Sequence, residues 1–136
     1  MAEFPAPKEG FLITYFIVSK DVERSRRFYV EVLGGEALLE GEPSIVALAN
    51  GWVTISTGGG PTEDKPDVTL EPPSDPHRAS AFMNIRVADI DAMYKKWKAR
   101  GADFLTPPIN RGVEIRCYMR DPDGHLIEVG QLVGRV

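Results

Sequence analysis

The sequence predicts an α+β protein built twice from one module of a strand, a helix and three further strands. Three observations predict it. An apolar run leading into a capped, glycine-stopped amphipathic helix occurs twice, with the capping residues Asp21 and Asp89 lying 68 positions apart. Three segments of strand character follow each helix. Between the copies, residues 58–80 are rich in proline and open with three consecutive glycines, a composition that admits neither a helix nor a central strand.

In chain order, Phe11 to Val18 is a continuous apolar run with aromatic and β-branched residues and reads as a buried strand. Asp21 can cap the helix that follows, because its carboxylate accepts an orphan backbone N–H. From Asp21 to Leu33 the residues Val22, Ser25, Phe28, Tyr29, Val32 and Leu33 recur at helical spacing, and Glu23, Arg24, Arg26 and Arg27 fall outside. Gly34-Gly35 stops this helix, since glycine takes up the left-handed cap conformation at no steric cost. Glu36–Glu40, Ser44–Ala49 and Trp52–Thr57 are strands, with Asn50-Gly51 predicted as the two-residue turn of a hairpin.

The second copy runs from a strand at Ala81–Val87 into a helix at Asp89–Arg100, with Ile90, Met93, Tyr94 and Trp97 on one face and Gly101 as its stop. Strands at Ala102–Leu105, Val113–Met119 and Leu126–Leu132 complete it. Asp121-Pro122-Asp123-Gly124 has the residues of a type I turn between the last two. At the 68-residue offset Phe28-Tyr29 falls on Lys96-Trp97, and the glycine stops need one gap to align. The reading is a single domain over residues 1–136, with module one at about 11–57, a linker at 58–80 and module two at about 81–133.

Composition narrows the class of partner. A chain of 136 residues that is 43% hydrophobic and 26% charged is globular. Its net charge of −4 provides no basic stripe to neutralise phosphates, so no nucleic-acid partner is expected. The acidic balance suits neutral or cationic ligands, and equally suits solubility. The single cysteine, Cys117, excludes an intrachain disulfide and fits a reducing compartment. Met1 to Gly10 has no apolar run of signal-peptide length, and no segment approaches the ~20 apolar residues of a membrane span. No membrane partner and a cytoplasmic location are therefore the expectation.

Several stretches together resemble one family. They are Ser19-Lys20-Asp21-Val22-Glu23-Arg24-Ser25 with Phe28-Tyr29 and Val32-Leu33-Gly34, then Ile85-Arg86-Val87-Ala88-Asp89-Ile90-Asp91, and above all Arg120-Asp121-Pro122-Asp123-Gly124-His125-Leu126-Ile127-Glu128. On these the chain is similar to the vicinal oxygen chelate superfamily, the glyoxalase, bleomycin-resistance and extradiol-dioxygenase group. The resemblance implies two βαβββ modules whose strands curl into a half-open barrel, with helices outside and a cavity on the concave face. It also implies a homodimer. In the metalloenzymes of the group a divalent ion is held from the first strand of each module, the fourth strand of module one and the last strand of module two.

Strand alternation tests those positions here. Phe82, Asn84 and Arg86 share one side of their strand, opposite Met83, Ile85 and Val87. Thr14 and Phe82 fall where the metalloenzymes place a ligand, and neither serves well: phenylalanine has no lone pair to donate and a neutral hydroxyl is a poor ligand. Thr54 or Ser56 stands where a carboxylate would be, leaving Glu128 as the one match. His125 is three residues from Glu128 and at a turn, His77 lies in the linker, and Cys117 reads as a buried small hydrophobe. No cofactor is expected on these grounds, a divalent metal being the alternative.

The inward set is then Thr14, Phe16, Thr54, Ser56, Phe82, Asn84, Arg86 and Glu128, with Trp52, Arg116 and Tyr118 as outer candidates. Aromatic walls with a few polar groups suit a small organic molecule. Arg86 and Glu128 can pair with each other, or Arg86 can clamp an anionic group while Glu128 serves as a catalytic general base. Three functions follow: a metal-independent small-molecule binder in the inter-module cavity; a metal-dependent lyase, isomerase or dioxygenase; and a metal-free enzyme based on Glu128.

Overall fold

The computed structural model describes residues 5–134; Met1–Phe4, part of the N-terminal segment read above, and Arg135–Val136 lie outside the described residues. Two compact units divide the chain between Ser74 and Asp75. The boundary falls inside the predicted linker, so most of that stretch belongs to the first unit.

In the first unit, β1 (Tyr15–Val18) leads to α1 (Val22–Arg27), which passes into a π-helical turn (Phe28–Val32). β2 (Glu36–Leu39), β3 (Ser44–Leu48) and β4 (Gly51–Ser56) follow. The sheet order is β1-β4-β3-β2, with β1 parallel to β4 and the other pairs antiparallel. In the second, β5 (Met83–Arg86) leads to α2 (Ile90–Ala99), then β6 (Asp103–Phe104), β7 (Ile109–Asn110), β8 (Glu114–Arg120) and β9 (Leu126–Leu132). Its order is β5-β9-β8-β6, again with the first strand parallel to the last, and β7 pairs β8 off that path. The fold is α+β, two βαβββ units, the second with β7 added. Two residues after Pro107-Pro108 are too few to show a period, so β7 is silent in the sequence.

The two helices start identically. Asp21 and Asp89 are extended, and the side chain of each accepts the backbone N–H three residues on at 3.1 Å. The glycine stops also hold: Gly34 and Gly101 have φ of 85° and 104°. Val22, Phe28, Tyr29, Val32 and Leu33 are buried on one side of the first helix, and Ile90 and Trp97 on the second. One expectation needs correction, since the first helix is not α-helical to Leu33. The Leu33 N–H reaches the carbonyl of Phe28, five residues back, and Gly35 N–H reaches that of Tyr29. The apolar spacing placed the right residues inside but does not specify this widened turn.

Each helix covers one face of its own sheet, α1 against β3 and β4 and α2 against β9. Ile17, Ile55, Val46 and Val53 form the covered face of the first sheet, and Ile127, Val129, Cys117 and Met119 that of the second. Each of the isoleucine, valine and methionine side chains contributes about 1.5–3 kcal/mol by leaving water. Burial pushes the Cys117 thiol up to about 11.

Two strand limits differ from expectation. Phe11 to Thr14 lies outside β1, whose ladder starts with Tyr15 opposite Val53; Phe11 is 86% and Ile13 85% exposed. An apolar run here continues past the end of its pairing. The β3–β4 turn is Ala49-Asn50 rather than Asn50-Gly51, because Leu48 pairs with Gly51, and Ala49 takes the positive φ of 52°. The Asp121–Gly124 turn is as predicted. Gly124 N–H bonds the Asp121 carbonyl at 3.0 Å, and the buried Asp121 carboxylate accepts N–H from Asp123 and His125 at 3.0 and 2.9 Å.

Candidate functional site

The second sheet brings four of the proposed residues together on its outward face. β5 and β9 run parallel with Asn84 opposite Glu128, and β8 places Tyr118 opposite Glu128 on the other side. Partners in register project to the same face, so Asn84, Glu128 and Tyr118 form a row across three strands. The Glu128 carboxylate accepts from Asn84 Nδ2 on one oxygen and from the Tyr118 hydroxyl, at 2.5 Å, on the other. This bond to Glu128, ahead of desolvation, raises the Tyr118 phenol above its ordinary value, so Tyr118 stays a donor. Phe82, just before β5 and 42% exposed, sets its ring edge-on to Tyr118 with centroids 6.0 Å apart.

The next row along the same face is Arg86–Gly130–Arg116. Of the two alternatives for Arg86, the pairing with Glu128 is not made. Arg86 Nη1 instead bonds Glu114 Oε2 at 3.0 Å, and Arg116 Nη1 bonds Glu114 Oε1 at 3.3 Å. The reason is room: Gly130 lacks a side chain, and the Arg86 guanidinium lies where a Cβ at 130 would stand. Arg86 holds the Glu114 carboxyl below the usual range, with Arg116 adding to the effect. Glu114 was absent from the candidate set. Strand alternation from Arg116 and Tyr118 finds it, because it lies two residues before Arg116 on β8.

The first unit carries the other four candidates. Phe16, 51% exposed, stands opposite Thr54, which stands opposite Ile45. Ser56 Oγ accepts the Gly58 N–H at 3.2 Å. Thr14 precedes β1 and is exposed, so strand alternation does not orient it. Of the remaining polar candidates, His77 is exposed in the loop before β5 and His125 is half-buried after its turn.

A metal ion does not suit these residues. Phe82 offers no donor atom and Thr14, Thr54 and Ser56 offer neutral hydroxyls, which leaves Glu128 as the one strong ligand among them. A catalytic centre wants about three protein ligands. Among the described residues no three His, Cys, Asp or Glu side chains gather as such a set.

Two βαβββ units with a shared strand order define a class of fold, and the comparisons assign it. Residues 12–129 match the model of the Glyoxalase/Bleomycin resistance protein/Dioxygenase superfamily, and the chain belongs to that family. The Metallothiol transferase FosB of Shouchella clausii (strain KSM-K16) is 30% identical over 113 residues, which is 80% of this chain and 71% of the relative. The crystal structure of the fosfomycin resistance protein FosX from Listeria monocytogenes matches with a TM-score of 0.67 and 18% identity, covering 92% of this chain and 95% of that one. TnmS3, an antibiotic binding protein from Streptomyces sp. CB03234, matches at 0.65 and 19%, covering 94% and 100%. The two structural likenesses concern the fold. Among the described residues no helix is long and apolar enough to cross a membrane.

Proposed function

We propose that this chain binds a small organic molecule against the outward face of its second sheet, and does so without a metal ion. The observation that carries the reading is the state of Glu128. Each of its oxygens takes one donor, from Asn84 on one side and Tyr118 on the other, which makes it a fixed polar anchor beside the exposed ring of Phe82. Arg86 adds a cationic group two residues along. Thr14, Phe16, Thr54 and Ser56 are proposed as ligand-binding residues of the first unit taken by itself. The names of FosX and TnmS3, which speak of fosfomycin resistance and antibiotic binding, support a ligand of drug size. The protein is further proposed to be a single-domain cytoplasmic homodimer, with neither nucleic acid nor membrane as partner.

The second reading is a metal-dependent enzyme, a lyase, isomerase or dioxygenase. It is favoured by the 30% identity to a protein named a metallothiol transferase. Elemental analysis and a thermal-shift screen separate the two. Metal-free protein, stabilised by organic molecules equally well with and without chelator, fits the first reading. A stoichiometric transition metal whose removal abolishes ligand stabilisation sinks it.

A further inference from the structure

We propose that Arg86 and Arg116 form an oxyanion subsite, so that the ligand of this face carries a carboxylate or a similar oxyanion and, about 7 Å away along the strands, a hydrogen-bond donor for Glu128. This rests on the small-molecule reading above and names its ligand class.

The two rows supply the spacing. Asn84–Glu128–Tyr118 and Arg86–Gly130–Arg116 are adjacent same-face rows, two residues apart on every strand. In the second row the middle position has no side chain. Arg86 therefore lies down over Gly130, toward Arg116, instead of extending away from the sheet.

Charge supplies the sign. Glu114 takes Arg86 on one oxygen and Arg116 on the other, so one carboxylate stands against two guanidinium groups. The cluster keeps one positive charge. A guanidinium has five N–H donors, and each arginine gives one to Glu114. The side chains of Arg86 and Arg116 are 45% and 37% exposed, so an incoming anion reaches them. Stability does not explain the second arginine: ion pairs this exposed contribute little, and the two cations repel across a single acid. An oxyanion between them relieves that repulsion with paired charge-assisted bonds.

The other row supplies the complementary demand. A carboxylate oxygen has two lone pairs, and each Glu128 oxygen holds one protein donor. A hydroxyl or ammonium on the ligand can take a remaining lone pair, while an aromatic or aliphatic body lies along Phe82.

The test is a titration of the full chain at low ionic strength, followed by NMR, with three probes of one shape. They are 4-hydroxybenzoate, benzoate without the donor, and 4-hydroxybenzamide without the charge. 4-Hydroxybenzoate is expected to bind about tenfold more tightly than either of the others, the size of one charged hydrogen bond. Added salt erodes its advantage over the amide. Arg86→Gln and Arg116→Gln each bring acid and amide toward equal affinity, because they weaken the acid more than the amide. Gly130→Ala does the same with both arginines present, because it displaces the Arg86 head group, and circular dichroism of each variant checks that the sheet is retained. Glu128→Gln removes the advantage over benzoate. Equal binding of acid and amide to the parent protein overturns the subsite, as does an acid preference that survives both arginine variants. If none of the three probes binds while other molecules of the screen do, the subsite is wrong and the small-molecule reading stands. If no molecule binds at all, both fall.

Discussion

The first sheet reads Phe16–Thr54–Ile45 across its outward face, and the second reads Asn84–Glu128–Tyr118 at the matching register. Around these rows the two units are built alike: a parallel first and last strand, a helix capped by aspartate, a glycine stop. The covered faces are alike in kind, apolar in both. The two outward rows are not, being hydroxyl and hydrocarbon in one and a carboxylate held by two donors in the other. Val18 and Arg86 sharpen the contrast, since they stand at equivalent places. Val18 is buried, with the Gly58–Leu70 loop packed close to it, whereas Arg86 is left reachable. Repetition of the scaffold and divergence of its exposed side are therefore separable, and of the two compared rows the charged one belongs to the second copy.

Substitutions can break or sharpen that comparison. The largest effects belong to the shared core. Tyr29→Ala and Trp97→Ala, one offset apart and both buried, should each cost about 3–5 kcal/mol in denaturant unfolding. A much smaller loss in one would end the equivalence of the helices. The caps come next, with Asp21→Ala and Asp89→Ala each losing about 1 kcal/mol, and unequal values would show that one cap is redundant. On the outward faces the expectation is asymmetry. Glu128→Leu strands two donors and should cost up to about 1 kcal/mol at this half-exposed site, whereas Thr54→Val should stay within about 0.5 kcal/mol. Equal costs would argue that the polar row is unimportant.

The smallest effects are those of pH. Glu114 is depressed below 4.5 in the folded protein, so its contribution is complete above that value and is lost as pH falls through the lower folded pKa. Glu114→Gln should flatten the acid limb of the stability curve in that window. Tyr118 is raised above 10.0, so its contribution is present below 10.0 and is lost as pH rises through the folded value. Carbon-13 titration of its phenol should show the shift, and Glu128→Gln should bring it back toward 10.0.

How much of this was legible follows from what each signal encodes. Caps, stops and the alternation of Met83-Asn84-Ile85-Arg86 are local, and they appeared as read. Motif and parity together put Glu128 on the same face as Asn84, and the strand register agrees. Pairing across strands is not local, which is why the sequence leaves Arg86 open between Glu128 and a ligand, whereas Gly130 lets it reach Glu114. The end of β1 failed for the same reason. Hydrophobicity of Phe11 to Ile13 says what a strand would tolerate, and only the register with Val53 says where pairing starts.

One buried group gives the second unit a built-in reporter. Cys117 sits on β8 between Arg116 and Tyr118, pointing to the opposite side from both, and its thiol is pushed up to about 11. Only the thiolate attacks disulfide and maleimide reagents, so labelling must wait for the strand to open. The rate at which the protein takes up such a reagent therefore clocks excursions of this sheet from its closed state. A ligand that clamps the arginine row should slow that clock without touching the sulfur.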